Sequence, residues 1–122
     1  MDIGLEKRVA TVVGFSSGDA SLYLSNGGGV IGGIAHRITR DAAEAWVVSA
    51  QQNLASLEPT TTFPLPAAGE VRVYVLTDRG VLAAHATSDE LERGGPGWSP
   101  IWGSAQALIG AIHQVSDNPK SP

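Results

Sequence analysis

Cysteine is absent from the 122 residues of the chain. This removes disulfides, thiolate nucleophiles and sulfur-ligated metals together, and it fits a reducing, cytoplasmic setting. Charge is also scarce: Asp, Glu, Lys and Arg supply 16% of the residues, against ~25% in an average globular domain. The eight basic residues are dispersed, with Lys7-Arg8 the one adjacent pair. A reader of a phosphate backbone needs a basic face, so nucleic acid is not an expected partner. Met1–Arg8 holds Asp2 and Glu6 where a signal peptide carries positive charge, and no apolar core follows it, so secretion by that route is not expected.

Apolar residues make up 43% of the chain and the net charge is −4, enough to expect one domain over residues 1–116 with a frayed tail at 117–122. Arg8–Phe15 is rich in β-branched residues and ends in Ser16-Ser17-Gly18-Asp19, the pattern of a strand and a turn. Ala20–Ser25 reads as its partner. Asn26-Gly27-Gly28-Gly29 then offers a hairpin turn before the apolar run Val30–Ile34. From Thr39 to Leu57, residues Ala43, Trp46, Val47, Ala50, Leu54 and Leu57 recur at helical spacing, with Thr39 or an Asp41/Glu44 capping box at the start and Pro59 as the stop. Thr60–Gly69 is an uncharged loop whose Phe63 and Leu65 are expected to pin to the core. Val71, Val73 and Val75 alternate with Arg72, Tyr74 and Leu76, Asp78-Arg79-Gly80 turns, and Val81–Ala86 returns as a strand. Ser99-Pro100 opens a second helix with the stripe Ile101, Ala105, Leu108, Ile109, Ile112 and Val115.

These elements predict an α+β fold: an antiparallel sheet of four to five strands in two hairpins with two helices packed on one face, in ββα-ββα order. Mixed sheets and helices of this kind also occur in roadblock- and profilin-like proteins, whose signatures this chain does not carry, so the likeness is one of architecture alone.

Few residues assemble into a recognisable chemistry. Gly27, Gly29 and Gly32 match G-x-G-x-x-G, and GGGVIGGIAHRITRDAAEAWVV locally resembles the opening βαβ unit of the short-chain dehydrogenases. That resemblance implies a helix over residues 30–41, a strand over 46–49 and a nucleotide on the glycine turn. Against it, no acidic residue follows near Val47 to meet a ribose. With tyrosines only at 23 and 74 and lysines only at 7 and 120, a Tyr-x-x-x-Lys pair has no place in the chain. The alternative function is therefore a small-ligand or nucleotide-binding domain on Asn26, Gly27, Gly28 and Gly29, with weak hydrolytic activity at most. His36, His85 and His113 show no metal-ligand spacing, so no metal or cofactor is expected. Ser99 lies outside any G-x-S-x-G elbow and reads as a helix cap, and no catalytic residue is assigned. The carboxylates Asp89, Glu90 and Glu92 read as a solvated loop or a short helical turn.

The remaining feature is a stretch. Gly94–Val115 contains no Asp, Glu, Lys or Arg across 22 residues, yet holds two of the three tryptophans. It is too polar for a membrane span. The expectation is a helix covered on two sides, either by the sheet and the 60–69 loop within the chain or by the sheet and a second protein. The leading reading is a small non-enzymatic binding or scaffold module that self-associates as a homo-oligomer or docks on a protein partner. Trp98, Trp102, Gln106 and Gly110 would form that contact.

Overall fold

The computed structural model describes residues 1–31 and 36–117. Its described strands are β1 (Asp2–Gly4), β2 (Val9–Gly14), β3 (Ala20–Leu24), β4 (Gly29–Ile31), β5 (Glu58–Thr60), β6 (Glu70–Thr77) and β7 (Gly80–Thr87). They join in one antiparallel sheet in the order β4-β3-β2-β1-β6-β7-β5. Three helices complete the described fold: α1 (Arg37–Gln52), α2 (Ser88–Glu92) and α3 (Ser99–Asp117).

The α+β class stands, and the expected order does not. With β4 and β5 as short edge strands, the main elements run βββαββα instead of ββα-ββα. The difference is β1, which lies between the two hairpins and pairs Ile3 with Ala10 of β2 and with Val71 of β6. Three residues are too few to show a period of two, which is why β1 and β5 are silent in the sequence. Both expected hairpins form. In the second, Val71 pairs with Ala86, Val73 with Ala84 and Val75 with Leu82, and Gly80 takes the positive φ of +120° that its turn requires.

The register sorts side chains to two faces. Ile3, Ala10, Val12, Leu22, Val71, Val73 and Ala86 belong to one core together with Ala43 and Trp46 of α1 and Ile101, Ala105 and Leu108 of α3. Burying each large aliphatic here stabilises the fold by about 1.5–3 kcal/mol. Helices α1 and α3 pack on each other, and both reach β3. Trp46 lies against β2 at Gly14, where a Cβ would sit 2.6 Å from its ring carbon Cε3. The α1 stripe is therefore inward, as its spacing predicts. The helix nonetheless ends at Gln52, well before Pro59, because Asn53 turns its side-chain amide back to the Ser49 carbonyl at 2.7 Å and Leu54–Ser56 form a 3-10 turn. At the other end His36 occupies the N-cap position without a side-chain cap bond, and Thr39 lies buried inside the helix. The Asp41/Glu44 and Thr39 caps are thus replaced by a start upstream of both.

The 60–69 loop crosses the opposite face of the sheet. Tyr74, alternating with the inward Val73 and Val75, donates its hydroxyl to the Pro64 carbonyl at 3.0 Å and meets the Phe63 ring at 5.4 Å between centroids. Phe63 and Leu65 are consequently not pinned to the core: they are 57% and 71% exposed. Pro66 is the buried residue of this loop. The loop also does not cover α3, which lies on the other side of the sheet.

The chain's α-amino group is buried, donating to the Val12 carbonyl at 2.9 Å. Burial pushes its pKa down from 8.0 to about 6, with the Asp2 carboxylate pulling the other way. Between these values the unfolded chain holds a proton that the folded chain has lost, so stability rises with pH across this window. The expected gain is up to about 2–3 kcal/mol, absent below pH ~6 and complete above pH ~8. Urea midpoints measured from pH 5.5 to 8.5 should show this slope, and N-terminal acetylation should flatten it.

Candidate functional site

Helix α3 begins within a residue of where the sequence predicts: Ser99, expected as its cap, is its first residue, and Pro100 lies in its first turn. Its inner stripe is Ile101, Trp102, Ala105, Leu108 and Ile112, all buried. Trp98 and Trp102 are 4% and 7% exposed and are built into the chain's own core. Gln106 and Gly110 lie on the outside instead, with Gly103, Ala107, His113 and Gln114. Ala111 faces inward. The outer face accordingly mixes the small residues Gly103, Ala107 and Gly110 with Gln106, His113 and Gln114, and carries no Asp, Glu, Lys or Arg up to Val115.

Between α2 and the first half of α3 lies an open groove of about 390 Å³, lined by Leu91, Glu92, Gly94, Ser99, Pro100, Trp102, Gly103 and Gln106. Trp102 donates its indole N–H to Glu92 at 3.1 Å, which fixes one carboxylate oxygen at the groove wall. Helix α2 owes its existence to a capping box. The Thr87 hydroxyl accepts the Glu90 backbone N–H at 3.1 Å and the Glu90 carboxylate accepts the Thr87 N–H at 3.1 Å. The Thr87 N–H and its hydroxyl, which donates to the same oxygen at 3.0 Å, hold the Glu90 carboxyl below the usual carboxylate range. Of the two readings open for Asp89–Glu92, solvated loop or short helical turn, the structure has the helical turn. The role of Glu92 went unread, although Thr87-x-x-Glu90 ahead of Leu91 is the signal that places it.

The glycine turn closes the hairpin between β3 and β4. Gly27 has φ +104° and gives its N–H to the Leu24 carbonyl at 3.0 Å, while the Gly28 carbonyl accepts from Leu24 at 2.8 Å. Donors that an anion would need are in part consumed by the turn itself. The helix implied over 30–41 and the strand implied over 46–49 are overturned, because Gly29–Ile31 is a strand and Arg37–Gln52 a helix. Gly32 and Gly33 lie outside the described residues.

A second, smaller cleft of about 160 Å³ sits on the open sheet face under the 60–69 loop, bordered by Arg72, Tyr74 and His85. Its charges answer one another: Arg72 Nε donates to Glu70 at 3.1 Å, and His85 Nδ1 is 3.9 Å from the other oxygen of that carboxylate. Among the described residues no group of three His, Asp or Glu could hold a metal ion. No described helix is long and apolar enough to cross a membrane.

Comparison with protein-family models, with curated proteins and with solved structures finds no match to this chain.

Proposed function

We propose that the chain is a small non-enzymatic binding module that self-associates or docks on a protein partner through the outer face of α3. The observation that carries this reading is the exposure of Gly103, Gln106, Ala107 and Gly110 on a helix with no charged residue between Ser99 and Val115. A solvent-facing helix normally carries charge on that side. Small residues there let a second helix approach to the short end of the 8–10 Å packing range. On the neighbouring α1, Val48 and Ile38 are also left exposed, at 47% and 39%. Trp98 and Trp102 serve this face from behind, by holding α3 rigid.

Ala107→Glu tests the reading, since it places a charge at the centre of the face without touching the core. Light scattering after size exclusion should show wild-type self-association at high micromolar concentration and a folded monomer for the variant, with stability within ~0.5 kcal/mol of wild type. A wild-type monomer unaffected by Ala107→Glu, together with unchanged capture of partner proteins by the variant, would remove the reading.

A further inference from the structure

The groove beside α2 assigns a chemistry to that partner. We infer that it receives a lysine or arginine side chain from a helical segment of another protein, the aliphatic stem lying along Leu91, Pro100 and Gly103 and the cationic head meeting Glu92. This rests on α3 being the docking face and adds what the docking segment must carry.

Three observations converge on it. The groove has room for a long side chain, about 390 Å³, and most of its lining is apolar or small, with Leu91, Pro100, Trp102 and the two glycines against the polar Ser99 and Gln106. Its one charged lining residue is Glu92, whose Oε1 is already anchored by the Trp102 indole at 3.1 Å. An anchored carboxylate loses less conformational freedom on binding than a free one. Finally, Glu92 has no cationic partner of its own among the described residues, whereas Glu90 beside it is held by Thr87 and by the charges of Arg93 and His85. Arg93, the nearest base in sequence, directs its Nε to the Asp89 carbonyl at 3.2 Å. None of the ion pairs among the described residues involves Asp89, Glu90 or Glu92. The α3 face that continues from the groove offers no positive charge of its own. A lysine or arginine satisfies both halves of this environment, because its stem covers apolar surface while its head stays with the carboxylate at the rim. An acidic or purely apolar segment satisfies only one.

The probe is a short amphipathic helical peptide bearing leucine and lysine on one face, compared with its lysine-acetylated form and with a version carrying glutamates in place of the lysines. Tryptophan fluorescence and backbone amide shifts of residues 91–106 in the full chain report the binding. The lysine peptide should shift the groove amides and weaken as salt is raised. The acetylated and acidic forms should not bind, and Glu92→Gln should weaken the lysine peptide about fivefold, the upper end for a partly exposed ion pair. Equal binding of the acetylated peptide, shifts confined to another face, an unaffected Glu92→Gln variant or no binding of the lysine peptide would each overturn the inference. Ala107→Glu keeps the two proposals apart. If it abolishes association while the peptides fail, the docking face stands and the lysine or arginine occupant falls; if the lysine peptide binds and association never depends on Ala107, the reverse holds.

Discussion

Replacing Trp102 with glutamate is expected to unfold the chain at temperatures where the wild type is intact, with the thermal midpoint falling by more than about 10 °C. Three separate losses add up. Trp102 is 7% exposed and packed among core residues that include Ile101 and Ala105, and truncating a buried tryptophan costs about 3–5 kcal/mol. A carboxylate left in that space adds desolvation. It also faces Glu92, which loses the indole donor at 3.1 Å and gains a like charge in its place. At this chain length each kcal/mol moves the midpoint by roughly 4 °C. Differential scanning calorimetry checks the shift, and a midpoint within ~3 °C of wild type would show that the indole does not close the core. The contrast with Ala107→Glu is sharp: the same new charge on the outer face of one helix leaves the fold standing.

Gly4→Ala is the second large effect, from the addition of one methyl group. A Cβ at Gly4 would sit 1.8 Å from the carbonyl oxygen of Ala67 and 2.7 Å from its carbon. Both are backbone atoms, held by a turn in which Glu70 N–H bonds Ala67 O at 3.0 Å and Gly69 N–H bonds Gly4 O at 2.9 Å. Neither partner has a rotamer to change. The methyl group is accommodated only by moving the end of the 60–69 loop off β1, which breaks the Gly69–Gly4 bond and disturbs the pairing of β1 with β6. A loss of about 3 kcal/mol, near the top of the overpacking range, is expected from urea denaturation. Gly103→Ala provides the counterpart, since nothing lies within 4 Å of its Cβ position. That variant should be neutral or more stable by up to ~1 kcal/mol, the helix propensity difference between the two residues.

Such contrasts show where the sequence is readable. The β6–β7 hairpin and α3 are legible because each sustains its period over at least eight residues and carries its own turn or start signal. Helix α1 is legible in phase but not in extent, because the Asn53 side chain ends it through a hydrogen bond that no apolar pattern records. β1 cannot be read at all: Asp2-Ile3-Gly4 is a strand because Ala10 and Val71 flank Ile3, a fact about chain elements far apart in sequence. The partner residues divide along the same line. Charge depletion marks the whole segment from Gly94 to Val115 but says nothing of direction. Helical phase does: Trp98, Trp102 and Ala105 follow the steps of three and four that put Leu108 inside, and Gln106 and Gly110 fall between them. The groove escaped because it depends on α2, a helix of a single turn.

The place of β1 also bears on how the molecule comes apart. Among the described residues, strand pairing joins the β4-β3-β2-β1 group to the β6-β7-β5 group at Asp2↔Arg72 and Ile3↔Val71 alone, backed by the Gly69–Gly4 turn bond, a seam two residues long where β2 and β3 pair over five and β6 and β7 over eight. Helix α3, which follows β7 in the chain, reaches over to α1 and β3 on the far side of that seam. It therefore works as a buckle across two plates, and the strength of the joint resides in the helix layer more than in the strands. Under mechanical load the chain should part along β1 and β6 as soon as α3 lifts, each plate still intact.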